Sequence, residues 1–458
     1  MQADAAAGGD QGFDRIEMSL SGQLGMTVFR RLILGFCALC VVGAAGFLVL
    51  AYRVPIASRD PSQLLSFPAG QVSRGAMLAS AGYCADCHTA RNGAVFAGGY
   101  GLATGFGTIY STNITPDPDT GIGRWTLAAF SRAMREGVSR DGSHLFPAFP
   151  YDHFTKLSDE DVAALYAYFM TRPPVEATAK ANMLPFPLNI RLLQEGWKIL
   201  FFRPDRFQSE PAQSADWNRG AYLADALSHC GACHTPRNRL GAEKLAAAFE
   251  GAETDGWIAP PLTAANPTPA PWTQAELHAY LRDGVTSLHG SSVGPMAPVV
   301  QGLRALPDSD VQAIATYFAA IDGTGQREVT TGEAIAKALA RSRKDMQGDE
   351  ENLGSRLFAT ACAACHFNTG RLKPERPELA LNSALFLDQP NNLILVMLGG
   401  VSTAAGINGA VMPSYHSLST TELSQLAGYL RTSRTDRPAW TDLDKQVEAA
   451  RSRLQQSH

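Results

Sequence analysis

Paired cysteines constrain the fold of this chain more than any other sequence feature. All eight cysteines among the 458 residues lie in C-x-x-C pairs, and a histidine directly follows three of these pairs. The three motifs span Cys84–His88, Cys230–His234 and Cys362–His366. A shuffled chain of this composition would contain roughly 0.003 such motifs, so chance does not explain them. C-x-x-C-H is the attachment sequence of haem c, in which the two thiols bond to the haem vinyl groups and the histidine ligates the iron.

The motifs therefore predict three covalently attached haem c groups. The predicted attachment cysteines and proximal iron ligands are Cys84, Cys87 and His88, then Cys230, Cys233 and His234, then Cys362, Cys365 and His366. Structural zinc is one alternative, but it favours C-x-x-C pairs that lie close together, and these are more than a hundred residues apart. Disulfides are another alternative. The fourth pair, Cys37 and Cys40, lies in an apolar run without a following histidine and is predicted to be ordinary helical packing.

Composition narrows the function classes that these motifs leave open. The chain is 45% apolar and 18% charged, with 39 Lys+Arg against 43 Asp+Glu and a net charge of −4. This balance excludes a strongly basic nucleic-acid binder, and the apolar content excludes a highly charged disordered chain. The sequence contains no serine triad, phosphate loop or dinucleotide fingerprint. We therefore expect no catalysis of an organic substrate by this chain alone.

An uncharged apolar run of 21 residues, Leu32–Tyr52, predicts one transmembrane helix in the inner membrane. At ~1.5 Å per residue the run extends ~31 Å, the thickness of a bilayer core. Arg30 and Arg31 precede it, so the positive-inside rule places residues 1–31 in the cytoplasm and the later units in the periplasm. A cleaved signal peptide is the alternative, and Met26 is an alternative start. In either case the haem motifs lie outside the cytoplasm.

The remainder of the chain consists of three copies of one helical unit. Each copy begins with a short helix whose glycine permits close packing, namely Gly75, Gly220 and Gly354. Each copy ends with an amphipathic helix that has acidic residues in its first turn. These last helices are predicted over Leu157–Phe169, Leu306–Phe318 and Leu418–Leu430. The predicted divisions are units 68–178, 213–324 and 348–434, linkers 179–212 and 325–347, and a tail 435–458.

A first and a last helix around C-x-x-C-H resemble the class I cytochrome c fold. The resemblance implies a mainly α protein with three tandem class I cytochrome c domains preceded by one transmembrane helix. Such a domain also uses a sixth iron ligand, commonly a methionine in the loop before the last helix. By this resemblance the second domain offers Met296, in G-P-M-A-P, and the third offers Met412, in V-M-P-S-Y. Arg91 and Arg237, in two R-N segments after the motifs, are predicted to pair with haem propionates, with a plain surface role as the alternative.

The first unit lacks the corresponding methionine. A constant shift of 147 residues aligns the W-T segments and the R-E-G-V and R-D-G-V segments of the first two units. The same shift places Met296 on Phe149. We expect His153, in Y-D-H-F, to be the sixth ligand of the first haem. His144 is one alternative, and an iron that is open or has another ligand is the other.

The order of one anchor and three haem motifs resembles the membrane-bound three-haem cytochrome c subunits of bacterial periplasmic alcohol, gluconate, fructose and aldehyde dehydrogenases. The segments P-A-F-P-Y-D-H-F (147–154) and H-C-G-A-C-H-T-P-R-N (229–238) are most similar to the subgroup that partners molybdenum hydroxylases. This implies an electron-transfer subunit that accepts electrons from a molybdopterin catalytic subunit with a small iron–sulfur subunit and passes them to ubiquinone. A quinoprotein alcohol or flavoprotein sugar dehydrogenase is the alternative partner. A multihaem peroxidase with an open first iron is the alternative of another class.

The segment between the first two units has two interpretations. Met183–Pro204 is apolar and aromatic, with a few basic residues on its polar side. One interpretation is an amphipathic helix that lies on the membrane or on a quinone pocket. The other is a linker helix packed between domains.

Overall fold

The computed structural model describes residues 13–323, 328–344, 351–367, 372–374, 376–401 and 411–456. Residues 1–12 of the predicted cytoplasmic segment, both ends of the predicted linker 325–347 and the last two residues of the predicted tail therefore lie outside the described residues. Helices dominate the described part, in agreement with the predicted mainly α class.

The helices follow the predicted repeat. The anchor region and first unit contain α1 (Phe13–Ala51), α2 (Ala69–Ala81), α3 (Cys84–His88), α4 (Leu127–Glu136), α5 (Tyr151–Phe154) and α6 (Asp159–Met170). The next segment and second unit contain α7 (Gln194–Phe201), α8 (Ala215–Tyr222), α9 (Gly231–His234), α10 (Gln274–Asp283), α11 (Met296–Leu303) and α12 (Asp308–Asp322). The remainder contains α13 (Glu328–Lys344), α14 (Leu353–Leu357), α15 (Ala363–His366), α16 (Asn391–Gly399), α17 (Thr420–Arg434) and α18 (Leu443–Gln456).

Short antiparallel hairpins connect some of these helices. Within the described ranges the pairs are β1 (Gly101–Thr104) with β2 (Gly107–Tyr110), β3 (Ala252–Thr254) with β4 (Trp257–Ala259), and β5 (Val285–Thr286) with β6 (Gly290–Ser291). In the first pair Gly101 lies opposite Tyr110, and in the second Ala252 lies opposite Ala259. The strands are too short to form a core, so the hairpins serve as loops around the helices.

In each unit the first helix crosses the last in direct backbone contact. A Cβ built on each predicted glycine would lie within 2.0–2.3 Å of a carbonyl oxygen of the opposite helix. The contacts are Gly75 with Ala164, Gly220 with Ala313, and Gly354 with Gln425. Only glycine fits at such a distance, because real Cβ contacts do not fall below 3.0 Å. The structure thus confirms the role predicted for the three glycines.

Ion pairs between a partly exposed arginine and a buried aspartate hold two of these crossings. In the first unit Arg74 donates from Nε to Oδ1 of Asp161 at 2.7 Å. In the second, Arg219 binds both carboxylate oxygens of Asp310, at 2.8 and 2.7 Å. Tyr222 of the second unit also donates to Asp161, which is 1% exposed, at 2.5 Å. The first crossing is therefore joined to the second unit.

The last helices begin as their sequences indicate, with one difference. Ser158 accepts a hydrogen bond from the backbone N–H of Asp161, and Ser419 forms a capping box with Glu422. In the second unit Pro307 occupies the position before the helix and makes no side-chain cap. Proline there still suits a helix start, since its φ is already helical.

The hydrophobic core is shared by the first two units and separate in the third. Leu78, Leu165, Leu227 and Ile314 belong to one continuous buried cluster that spans both units. The third unit has its own cluster, which α18 completes with buried Val447. The region predicted as a tail, 435–458, therefore includes a helix of the third core. The predicted linkers also contain helices, α7 in the first and α13 in the second.

One helix in the described part of the chain is long and apolar enough to cross a membrane, over Phe29–Ala51. Its apolar side chains are mostly exposed. The end of this helix is fixed to the first unit, because the carbonyl of Ala51 lies 2.7 Å from Nε2 of His144. The chain then runs along the same unit, where the N–H of Ile56 donates to Arg140 at 2.8 Å.

We expect Gly220→Ala to lower the free energy of unfolding by about 1–3 kcal/mol, because the added methyl group would force α8 away from α12. Gly332→Ala is the matched control, since it lies in a helix and no atom lies within 4 Å of its would-be Cβ. This control is expected to be neutral or to stabilise by about 0.5–1 kcal/mol. Guanidinium unfolding of the full haem-loaded chain, followed by circular dichroism, measures both. Equal effects of the two variants would contradict the close crossing.

Candidate haem-binding sites

Each C-x-x-C-H motif forms one turn of helix just after the first helix of its unit. The turns are α3, α9 and α15, and the histidine ends each of them. In the first two units the residue before the first cysteine breaks the preceding helix with a left-handed backbone. These residues are Tyr83, with φ of 36°, and His229, with φ of 37°. The break separates the motif turn from the first helix in these two units.

The three motif histidines share one hydrogen bond that suits an iron ligand. Nδ1 of His88 lies 2.7 Å from the carbonyl oxygen of Thr112, Nδ1 of His234 lies 2.8 Å from that of Pro260, and Nδ1 of His366 lies 3.0 Å from that of Pro377. A carbonyl only accepts, so Nδ1 carries the proton and the lone pair is on Nε2. Burial also lowers the pKa of all three histidines, which keeps the rings neutral. The residues therefore fit a haem at each motif.

The predicted methionine ligands lie with the motifs of their own units. Met296 begins α11, and Met412 pairs with Val401 in an isolated bridge at 2.9 Å. Both methionines line one cavity of about 390 Å³. The cavity is also lined by the motif residues of two units, Cys230, Cys233, His234, Cys362, Cys365 and His366. The second and third sites therefore open onto a common space.

The residues that directly precede the first and second motifs touch each other. The hydroxyl of Tyr83 lies 3.0 Å from Nδ1 of His229, and the ring centroids are 4.6 Å apart. Burial lowers the pKa of His229 to about 3, so this ring is neutral and accepts the hydrogen bond from Tyr83. Ser228 adds a bond to the carbonyl of Ala81 at 3.1 Å. Tyr83 also lines the common cavity, so this contact lies between the first motif and the space that the second and third motifs share.

His153 is held by the second unit rather than left available to an iron. Its Nδ1 donates to the carbonyl of Asp225 at 2.7 Å, and its Nε2 donates to Oε1 of Glu243 at 2.8 Å. With both nitrogens engaged, the ring has no lone pair to offer. In this structure His153 thus has partners other than an iron, and its role as the sixth ligand of the first haem stays a prediction. Neither Asp225 nor Glu243 carries a sequence signal that points to this contact.

His144, the alternative ligand, is also engaged at both nitrogens. Its Nε2 lies 2.7 Å from the carbonyl of Ala51, and its Nδ1 lies 3.1 Å from Nζ of Lys198. Glu195 approaches the same ring at 3.5 Å and pairs with Arg53 at 2.7 Å. His144 therefore belongs to a buried polar cluster that joins the end of α1, the first unit and α7.

The two arginines predicted to pair with propionates lie in different settings. Arg237 donates to the carbonyls of Gly241 at 2.7 Å and Ala232 at 2.9 Å. It also lies 3.5 Å from Glu243, so its terminal nitrogens face the His153 contact. Arg91 is exposed. A propionate contact stays a prediction for Arg91, and these bonds do not support one for Arg237.

Comparison with known proteins finds relatives among cytochrome subunits of dehydrogenases. A family model for cytochrome c matches residues 72–173 and 352–434. The chain is 46% identical over 420 residues to a nicotinate dehydrogenase subunit of Pseudomonas putida, covering 90% of this chain and 35% of that protein. It is 37% identical over 407 residues to the fructose dehydrogenase cytochrome subunit of Gluconobacter japonicus, covering 82% of each. It is 37% identical over 384 residues to the gluconate 2-dehydrogenase cytochrome c subunit of Pantoea cypripedii, covering 79% of this chain and 85% of that one. The chain thus spans about a third of the first relative's length.

The contact between His153 and Glu243 predicts a specific pH dependence. Burial lowers the pKa of His153, but its bond to the Glu243 carboxylate outweighs this and leaves the pKa raised above 6.5. Burial raises the pKa of Glu243, but His153 outweighs this and leaves it lowered below 4.5. The stabilisation from protonated His153 is therefore complete below 6.5 and is lost as the pH rises through its raised pKa. The contribution of Glu243 is lost as the pH falls through its lowered pKa.

We expect His153→Gln to lower the free energy of unfolding by about 1.5–3 kcal/mol where His153 is protonated. This difference from the unsubstituted chain is expected to shrink as the pH rises through the raised pKa of His153. Urea unfolding at a series of pH values measures it. His416→Gln, at an exposed position, is the matched control. A difference for His153→Gln that stays constant with pH would contradict a charged contact.

Proposed function

This chain belongs to the cytochrome c family, and on that premise we propose that it carries three covalent haem c groups and is the electron-transfer subunit of a dehydrogenase. The observation that carries the proposal is the Nδ1 bond to a backbone carbonyl, which recurs at His88, His234 and His366. Bound haem c supplies a one-electron carrier. Two cysteines would hold each haem and one motif histidine would ligate its iron. Met296 and Met412 would supply a thioether sulfur, which favours the reduced iron, at the second and third sites.

The arrangement of the motifs supports electron transfer along the chain. The motif residues of the second and third sites line one common cavity. The Tyr83–His229 contact joins the first and second sites. The core shared by the first two units keeps that contact rigid, since a packed interior tolerates little displacement. The chain therefore acts by fixing the spacing of its sites rather than by reacting with an organic substrate.

The partner we propose is a molybdopterin dehydrogenase with a small iron–sulfur subunit, acting on an aldehyde or a nitrogen heterocycle. The segment 147–154, P-A-F-P-Y-D-H-F, supports this choice through its resemblance to that subgroup. The 46% identity to a nicotinate dehydrogenase subunit, against 37% to a fructose dehydrogenase subunit, supports a nitrogen heterocycle as the substrate of that partner. We propose ubiquinone as the electron acceptor.

Purification from native membranes tests the partner. A tag after residue 458 on the full chain is expected to recover a large molybdenum-containing subunit and a small iron–sulfur subunit. An unrelated tagged membrane cytochrome c is the control for non-specific recovery. Recovery of a quinoprotein or a flavoprotein would contradict the molybdopterin partner, while recovery of no dehydrogenase would contradict the subunit role.

We propose that α1 anchors the chain in the inner membrane and that the haem units lie in the periplasm. We also propose that α7 lies on the periplasmic surface of the inner membrane. A Cβ on Gly196 of α7 would lie 3.8 Å from the ring of Phe47. Phe47 lies four residues before the end of α1, about 6 Å along the helix, so α7 sits beside the last turn of the anchor. Leu193, Ile199 and Leu200 are 41%, 48% and 61% exposed there. Apolar side chains at this level suit the boundary between headgroups and acyl chains.

A spin label at position 200 tests the position of α7. In lipid nanodiscs the full chain with Leu200→Cys, in a Cys37→Ala and Cys40→Ala background, is expected to be accessible to oxygen and shielded from a water-soluble nickel chelate. Leu245→Cys is the matched control, because Leu245 is 75% exposed on the second unit and is expected to be open to the chelate. Equal access of the chelate to both labels would contradict contact with lipid.

A further inference from the structure

The loop that supplies Met296 has a structural counterpart in the first unit. α4 and α10 have the same length and differ by a constant shift of 147 residues. Both end at a glycine with left-handed backbone, Gly137 with φ of 60° and Gly284 with φ of 81°. Each glycine then accepts a hydrogen bond from the residue eight positions later, at 2.8 and 2.7 Å. The two loops therefore leave their helices along the same path.

The correspondence continues to the ligand position itself. The N–H of Phe149 donates to the carbonyl of Phe146 at 3.0 Å, and the N–H of Met296 donates to that of Val293 at 3.3 Å. Both pairs obey the same shift of 147 residues. Phe149 therefore occupies the backbone position that Met296 has in the second unit. A phenyl ring has no atom that binds iron, and this ring packs 5.4 Å from that of Phe154.

The histidines of the first unit do not replace the missing sulfur. His153 and His144 use both ring nitrogens in other contacts. Met134 is the remaining sulfur on α4, and its counterpart is Leu281. Leu281 lines the second site together with Met296, without taking its place. We therefore assign Met134 to the wall of the first site.

We propose that the iron of the first haem keeps a sixth coordination position that no side chain of the described residues fills, and that this position takes small ligands of haem iron such as carbon monoxide. The inference rests on the haem attachment proposed above. It assigns a binding site and not a turnover reaction. Phe149 is the residue that leaves the position free, and Met296 marks the ligand that fills it in the second unit.

Carbon monoxide titration of the full, reduced chain in detergent tests this inference. The haem content is measured first, and a content below three per chain would overturn the proposed function and this inference with it. With three haems, we expect one carbon monoxide to bind per chain, with a shift of the reduced Soret band. Phe149→Met is expected to abolish this binding and, in the oxidised chain, to strengthen the far-red charge-transfer band of methionine-ligated haem.

Two further variants control the experiment. Phe154→Met makes the same change in the neighbouring ring and is expected to leave one carbon monoxide site. Met296→Phe copies the first unit into the second and is expected to raise the stoichiometry from one to two.

An unsubstituted chain with three haems that binds no carbon monoxide would overturn this inference alone. If Met134→Leu, His144→Gln or His153→Gln then opened a site, that residue would be the ligand. Binding that persists unchanged in Phe149→Met would also overturn it.

Discussion

Direct backbone contact between the first and last helix of each unit is the constraint on which the rest of the structure depends. The motif turn follows the first helix, and the ligand loop precedes the last one, so their crossing sets where both halves of a haem site meet. Gly75, Gly220 and Gly354 allow the crossing because any side chain would overlap a carbonyl oxygen of the opposite helix. The crossing thereby fixes the position of the motif turn relative to the loop before the last helix.

Contacts between units add a second level of order. The first two units share one apolar core and a buried carboxylate, Asp161, which binds both Arg74 and Tyr222. An unpaired buried carboxylate would be costly, so these partners stabilise the joint as well as the helix crossing. The third unit has its own core and meets the second around the common cavity and at the β3–β4 hairpin, where the N–H of Ile258 donates to Asn392. Rigid spacing of the sites therefore comes from two different kinds of interface.

Local features can be predicted from the sequence, whereas long-range pairings cannot. The motif spacing, the crossing glycines and the long apolar helix are properties of short segments, and the structure contains each of them. The sequence does not reveal the role of α18, because its burial depends on the third core and not on its own polar sequence. The sequence predicts that His153 ligates an iron. Its contact with Glu243 in the structure could not be predicted, because Glu243 lies 90 residues away and nothing in the sequence connects the two.

The short helix α5 explains why the first unit departs from the second after the ligand position. Its residues face two neighbours: Tyr151 packs 5.1 Å from Phe202 beside α7, and His153 pairs with Glu243 of the second unit. The equivalent stretch of the second unit continues instead into α11, which begins at Met296. The same loop thus presents Met296, the proposed ligand, in one unit and forms a contact with the second unit in the other. One short segment cannot both contact the second unit and place a methionine at an iron. The contact of α5 with the second unit and the presence of Phe149 instead of methionine are therefore parts of a single structural change.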